Sequence, residues 1–261
     1  MNVPIYNIKG EKSGECSLPK HFEAKVRFPL IKRAVLAEQS QRLQPKGPYK
    51  YAGIDTSAKY RGRKDDYGSL KNKGQAMLPR EVLPKGRHGK VRRIPSSVKG
   101  RRAHPPKVEK RIQDKLNKKE RRAAIIAALA ATTSVELAKK RGHIIGEIAL
   151  PIVMEDAFEN ITKTKEANAI LQKIIAQDLE HSKERGRRKS GVGRRSQRKT
   201  YPRSALLVAG ENAKVLRAAK NIAGVDACTI KQLSVELLAP GTYPGRLAVF
   251  TQNALKEIEK L

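Results

Sequence analysis

From Pro45 to Lys107 the chain runs for 63 residues that offer almost nothing for a core: eighteen Lys or Arg, four Asp or Glu, eight Gly and seven Pro. Its apolar residues, among them Ile54, Leu70, Met77, Leu83, Val91 and Ile94, recur with neither a helical nor an alternating period. Compact domains seldom contain a structureless loop of this length, and such a loop is usually functional or disordered. A net charge of +14 on the segment repels itself until polyanion phosphates neutralise it. The segment is therefore expected to thread into RNA as an extended basic arm. Gly would let its backbone approach closely, Pro would hold it extended, and Arg and Lys would meet phosphate.

The rest of the charge is unevenly placed. The whole chain carries +31 on 261 residues, with an isoelectric point near 10.4. A second basic run, residues 183–203, holds ten Lys or Arg against the single acid Glu184. Outside these two runs, 177 residues carry only +8, a balance and a length that suit one globular core. Cys16 and Cys228 stand alone near opposite ends, without disulfide or metal-ligand spacing, which fits a reducing cytoplasm. Met1–Tyr6 reads as a short strand, not as a signal peptide, and no window reaches eighteen uninterrupted apolar residues. With no Trp and 4% aromatic residues, RNA contact is expected to be mainly to phosphate and shape, not to stacked bases.

The pattern outside the arm predicts an α/β body: three layers around a mostly parallel sheet, interrupted by a long extended internal loop lacking regular structure. Strands are expected at residues 3–8, 151–154, 205–209, 225–229 and 247–250. Helices are expected at 29–40, 107–131, 135–140, 164–179 and 212–223, with a closing helix from Gln252. Apolar strands alternating with helices imply a parallel sheet covered on both faces. The organisation is then one body, residues 1–44 with 108–261, an inserted RNA-binding arm at 45–107, and a basic excursion at 183–203.

A sheet of this kind invites an enzyme, and the chemistry for one is missing. The expected strand at 205–209 is followed by Gly210-Glu211-Asn212, a single Gly with an acid where a phosphate would sit. Gly191-Val192-Gly193 follows no strand. His21, His88, His104, His143 and His181 are widely separated and default to surface or arm positions. Asp65-Asp66 reads as a solvated turn, and Glu155-Asp156 as charges favourable to a helix start. No catalytic, metal or cofactor-binding residue is expected. Two rivals remain: an RNA-modifying enzyme with a nucleotide cofactor, which lacks its glycine-rich turn, and a general nucleic-acid condenser, which would not need so large a patterned body.

Three segments carry a resemblance. Val91-Arg92-Arg93-Ile94-Pro95-Ser96-Ser97-Val98-Lys99-Gly100-Arg101-Arg102-Ala103-His104-Pro105-Pro106-Lys107 is similar to the arm's return strand in archaeal large-subunit ribosomal protein four. Residues 117–132, Asn117-Lys118-Lys119-Glu120 through Ala130-Ala131-Thr132, resemble the helix after that arm. Leu237-Leu238-Ala239-Pro240-Gly241 and Pro244-Gly245-Arg246-Leu247-Ala248-Val249-Phe250-Thr251 look like the family's last strand and its lead-in.

The resemblance implies a cytoplasmic structural protein of the large ribosomal subunit, without catalysis or cofactor, whose arm lies in large-subunit ribosomal RNA. Its partners would also include neighbouring large-subunit ribosomal proteins and the nascent polypeptide, since the arm's tip helps line the exit tunnel. The tip would fall at Arg61, Gly62, Arg63, Lys64, Gly74 and Gln75. RNA contacts are expected from Lys59, Arg61, Arg63, Lys64, Lys71, Lys73, Arg80, Lys85, Arg87, Lys90, Arg92, Arg93, Lys99, Arg101, Arg102 and Lys107. In the second run they are expected from Arg187, Arg188, Lys189, Arg194, Arg195, Arg198, Lys199 and Arg203. Within the return limb, Arg92-Arg93 and Arg101-Arg102 flank Pro95 and Gly100 as two pairs, a spacing suited to gripping phosphates on either side of an extended strand.

Overall fold

In the first unit of the chain, Met1–Arg42 with Gln113–Leu261, short apolar runs pair into one sheet while longer amphipathic runs cover it. The structure is a computed structural model that describes residues 1–146, 148–191, 195 and 197–260. Six strands form the sheet: β1 (Asn2–Tyr6), β2 (Lys12–Ser17), β5 (Ile152–Met154), β8 (Leu206–Ala209), β9 (Asp226–Thr229) and β10 (Ala248–Thr251). Their order is β2-β1-β5-β10-β8-β9. All neighbours are parallel except the β1–β2 hairpin. The sequence pattern missed β2 because Lys12-Ser13-Gly14-Glu15-Cys16-Ser17 has no apolar alternation. It is a mostly exposed antiparallel edge, and a polar edge strand discourages pairing with other chains.

The period of two along each strand divides the core between the faces. Val3 and Ile5, Val153, Leu206 and Val208, and Phe250 point to one side. There they meet α1 (Phe28–Ser40), α2 (Lys118–Ala131), α6 (Val235–Leu238) and α7 (Gln252–Ile258). Ile152 and Met154, Leu207 and Ala209, and Val249 point to the other side, against α4 (Thr164–Glu184) and α5 (Val215–Ala219). The result is the three-layer α/β body that the alternation of strands and helices predicts.

Three helix boundaries differ from the expectation. The helix expected from residue 107 begins at Lys118. Lys107, Arg111 and Lys115 would stack like charges at i, i+4 and i+8, and the Asp114 N–H is tied to the Ser40 hydroxyl of α1 at 2.9 Å. From Ala124 on, α2 supplies its alanines to the core, and α3 (Val135–Arg141) follows it. The α4 helix runs past Leu179 to Glu184 because Asp178 and Ser182, polar in sequence, are buried on its inner side. The α5 helix is only five residues long. Its flanks are held by tight i to i−3 bonds, Leu216 N–H to Ala213 O and Ile222 N–H to Ala219 O.

One buried network locks the centre of this unit. Arg246 is the largest fully buried side chain. It donates from Nε to Ser204 O (2.9 Å), from Nη1 to Leu237 O (2.9 Å), and from Nη2 to Ala205 O (3.2 Å) and Asp226 Oδ2 (2.7 Å). Burial presses its pKa down, and Asp226 pushes it back up. Nearby, His143 is buried, not on the surface as expected from its isolation in sequence. Its Nε2 accepts the Leu247 N–H at 3.4 Å, which leaves Nδ1 to donate to Asp178 at 3.1 Å. Ser204 and the Ile144 N–H also donate to Asp178. This histidine is a satisfied core residue.

Candidate nucleic-acid interface

The second unit, Leu43–Ile112, has little regular structure. Its strands are β3 (Arg80–Val82) and β4 (His88–Val91), a short hairpin joined through Pro84–Gly86, where Lys85 adopts φ 59°. Lys59 pairs with Arg80 beside it. The scattered apolar residues are not all idle: Ala58 and Leu70 are fully buried within the unit. Three glycines explain how its limbs come so close. Gly53, at φ +77°, lies against the Gly100 backbone, where a methyl group would be 2.5 Å from Gly100 O. A methyl on Gly100 would come within 2.0 Å of Ile94 O. Gly68, at φ +73°, lies under the Arg61 guanidinium, which donates to Tyr67 O at 2.7 Å. Close backbone approach is used here by the arm on itself.

The arm's cations fall into two groups. Arg92 bonds Glu81 at 2.8 Å through Nε and Val98 O through Nη1, and this partner holds the Glu81 carboxyl below the usual carboxylate range. Arg93, in the left-handed region at φ 73°, donates to Ala58 O at 3.2 Å. Arg61 and Arg80 are half-buried, and Arg80 donates to Ala76 O at 3.4 Å. These four help shape the arm. Lys59, Arg63, Lys64, Lys71, Lys73, Lys85, Arg87, Lys90, Lys99, Arg101, Arg102 and Lys107 are exposed, and among the described residues none forms an ion pair with a protein carboxylate. At the expected tip, Gly62 is half-buried while Gly74 and Gln75 are exposed. Asp65 and Asp66 are exposed in a turn.

In the first unit the second basic run begins where α4 ends. Strands β6 (Arg187–Arg188) and β7 (Lys199–Thr200) form an antiparallel ribbon continued by Lys189 N–H to Arg198 O at 2.9 Å. Arg187, Arg188, Lys189, Arg195, Arg198 and Lys199 are exposed. Arg194, with Gly193, lies outside the described residues. Arg203 is committed in part to Asp226. Beside it, Arg141, His181 and Arg185 line a cleft of 240 Å³ next to the buried Asp178 network. Sequence reasoning did not single out Arg141 and Arg185, which stand in mixed surroundings and become a cluster only in three dimensions.

The edge where α/β folds hold nucleotides is closed by the protein's own acids. Open sheets bind ligands at the carboxyl ends of their strands, with phosphates on helix N-termini. Here the Glu159 carboxylate accepts from the Gly210 N–H (3.0 Å), Thr251 Oγ1 (2.6 Å) and Asn253 Nδ2 (3.4 Å). Asp156 Oδ1 accepts the Asn253 N–H at the start of α7 (2.8 Å). The acid in the phosphate position is thus Glu159. Glu211, the one anticipated from sequence, pairs instead with Lys231. Among the described residues no group of three or more His, Cys, Asp or Glu could hold a metal ion, and no helix is long and apolar enough to cross a membrane.

Comparison with known proteins places these features in a lineage. The family described as ribosomal protein L4/L1 matches residues 16–261. The large ribosomal subunit protein uL4 of Archaeoglobus fulgidus is 43% identical over 258 residues, covering 98% of this chain and 97% of that protein. The uL4 of Methanocaldococcus jannaschii is 42% identical over 262 residues, covering 100% and 99%. The uL4 of Methanoculleus marisnigri is 43% identical over 264 residues, again covering 100% and 99%.

Proposed function

Because this chain belongs to the ribosomal protein L4/L1 family and is a structural constituent of the large ribosomal subunit, we propose that its exposed arm cations hold it in large-subunit ribosomal RNA. It is not an enzyme. It works in the cytoplasm, within the subunit and beside neighbouring ribosomal proteins, and its arm helps line the nascent-peptide exit tunnel. The observation that carries the assignment of residues is the division among the arm's cations. Arg61, Arg80, Arg92 and Arg93 already have partners within the arm. Lys99, Arg101, Arg102 and Lys107, like Lys59, Arg63, Lys64, Lys71, Lys73, Lys85, Arg87 and Lys90, have no protein carboxylate among the described residues and face solvent.

A phosphate is the group that such cations lack. Each contact releases a counterion, so affinity falls with salt in proportion to the contacts made. The ribbon residues Arg187, Arg188, Lys189, Arg195, Arg198 and Lys199 are proposed to add contacts of the same kind from the body, and Arg141 and Arg185 to add them from the cleft. Arg92 serves both roles in this reading, shaping the limb while its remaining N–H groups stay available. Arg61, Gly62, Arg63, Lys64, Gly74 and Gln75 are assigned to the tunnel wall.

Filter binding of the full chain to transcribed large-subunit ribosomal RNA across a salt series tests this. The variant Arg101→Gln/Arg102→Gln should lower the slope of log affinity against log salt by about 0.7–0.9 per contact. Arg92→Gln should cost affinity with a smaller change of slope, because much of its effect passes through the fold of the limb. An unchanged slope in the first variant would remove those residues from the interface.

A further inference from the structure

The aromatic residues of this chain are few, yet they are not spread evenly. Four of its seven tyrosines, Tyr49, Tyr51, Tyr60 and Tyr67, lie in the arm, and all four are between 52% and 76% exposed. A large ring left half or more in water on a segment without a core of its own needs an explanation, and the four differ in how they are held. Tyr49 and Tyr51 are engaged with each other, edge to face at 5.7 Å, and the Lys50 ammonium sits 5.8 Å from the Tyr51 ring centre.

Tyr60 and Tyr67 are seated on glycine. A methyl group on Gly62 would come within 2.7 Å of the Tyr60 hydroxyl and 2.9 Å of Cζ. One on Gly86 would come within 2.9 Å of the Tyr67 hydroxyl and 3.1 Å of Cζ. The hydroxyl end of each ring rests on bare backbone, while 59% and 76% of the two residues stays open. Arg61 ties the two seats together, following Tyr60 in the chain and donating to Tyr67 O.

We propose that Tyr60 and Tyr67 are stacking platforms for unpaired nucleobases of the RNA that receives the arm. The inference rests on the RNA-binding reading of the arm and goes beyond it, from phosphate contact to base contact. A ring already held by its glycine seat loses little freedom when a base lies on it. Every base offers a π-face, so stacking of this kind needs no particular sequence, only nucleotides free of a duplex. Arg61, Arg63 and Lys64 follow Tyr60 directly, and Lys85 and Arg87 flank the Gly86 seat. This interleaving of cations with rings suits a nucleotide, which presents a base and a phosphate together, better than it suits an apolar protein surface. Composition leads to the expectation that contact is mainly to phosphate and shape, and the proposal adds base contact at these two positions.

The salt series separates stacking from charge. The full-length variant Tyr60→Leu/Tyr67→Leu keeps every charge, so its affinity for transcribed large-subunit ribosomal RNA should fall at least about ten-fold at every salt concentration, with the slope unchanged. Tyr60→Phe/Tyr67→Phe should bind within about two-fold of the parent chain, since the ring is what stacks. Gly62→Ala, which displaces Tyr60 without altering charge, should fall between them. Unchanged affinity of the Leu variant while the parent binds with a steep slope would overturn the proposal and leave the phosphate reading intact; the rings would then face protein or the nascent chain. A loss accompanied by a shallower slope would also overturn it, since the tyrosines would be acting by arranging cations. Absence of salt-dependent binding by the parent chain would instead sink the RNA-binding reading itself.

Discussion

Replacing Arg246 with Met should unfold the body more readily than any single change on its surface. The Arg246 side chain is wholly buried, and its ion-pair partner Asp226 is 21% exposed. Met keeps most of the stem's volume and removes the guanidinium. Ser204 O and Leu237 O would lose the donors seen at 2.9 Å. Ala205 O would keep the Asp226 N–H, and the Asp226 carboxylate would keep Arg203. Each buried carbonyl left without a donor costs about 1–3 kcal/mol, and breaking a buried ion pair from one side costs about 3–5 kcal/mol. Since Asp226 is partly solvated and retains Arg203, the ion-pair part should fall to about 2 kcal/mol, and with about 1 kcal/mol for each carbonyl the total should be about 4 kcal/mol. For a body of this size that corresponds to a fall in Tm of about 8–16 °C.

Urea unfolding of the free protein, followed by far-ultraviolet circular dichroism, measures this directly. Arg246→Lys should lose about half as much, because an ammonium keeps the charge and cannot reach four acceptors with one fork. Arg246→Met/Asp226→Asn should recover part of the loss by removing the carboxylate oxygen that has lost its buried partner. A loss below about 1 kcal/mol for Arg246→Met, at an unchanged m-value, would refute the reasoning and make the guanidinium replaceable by apolar volume.

Asp178→Asn should cost about 2 kcal/mol at pH 7, since hydrogen bonds to a charged group are lost. Burial alone would raise the Asp178 pKa, but donation from His143, Ser204 and the Ile144 N–H lowers it overall. Its contribution is therefore complete above the unfolded value of about 3.9 and is lost as pH falls through the lower folded value, so the variant should flatten the stability curve below about pH 4. Gly100→Ala should push the turn off Ile94 O and weaken RNA binding several-fold, while the unfolding free energy of the body in urea stays within about 0.5 kcal/mol of the parent. Ala128→Leu, at a position in α2 with no exposed surface, should overpack the layer against α1 and destabilise by about 1–3 kcal/mol in the same assay.

How much of this was legible in the sequence depended on whether the signal was local. The strands Leu206–Ala209 and Ala248–Thr251 stand out because a strand buried on both faces is a short unbroken apolar run. The arm stands out because charge and Gly/Pro content exclude a sizeable core whatever the conformation. What stayed hidden depends on pairs far apart in the chain. His143 looks idle until Asp178, 35 residues on, is placed beside it. Arg246 reads as a charge before an apolar strand until Asp226, 20 residues earlier, meets it. The same holds inside the arm, where Arg92 looks like its neighbours Arg101 and Arg102 until Glu81 is found against it. Composition located the basic segment; it did not say which of its cations were already engaged.

The closed edge of the sheet explains why so ordinary an α/β body carries its chemistry elsewhere. A parallel sheet flanked by helices leaves backbone donors at its carboxyl edge, and in many folds of this kind a phosphate takes them. Here Glu159 receives the Gly210 and Asn253 donors together with the Thr251 hydroxyl, and Asp156 receives the Asn253 N–H in the first turn of α7. A carboxylate already bonded by three donors in a partly buried site would have to be displaced before an anion could enter, and like charges oppose that approach. The same acids tie the segment after β5 to the strand-to-helix junction of β10 and α7, so the groups that exclude a ligand also join the layers. In the proposed reading, anion recognition is left to side chains that no carboxylate satisfies among the described residues, along the arm and the β6–β7 ribbon. On that proposal rigidity and recognition fall largely to different residues, with Arg92, paired with Glu81 yet keeping N–H groups available, as the exception.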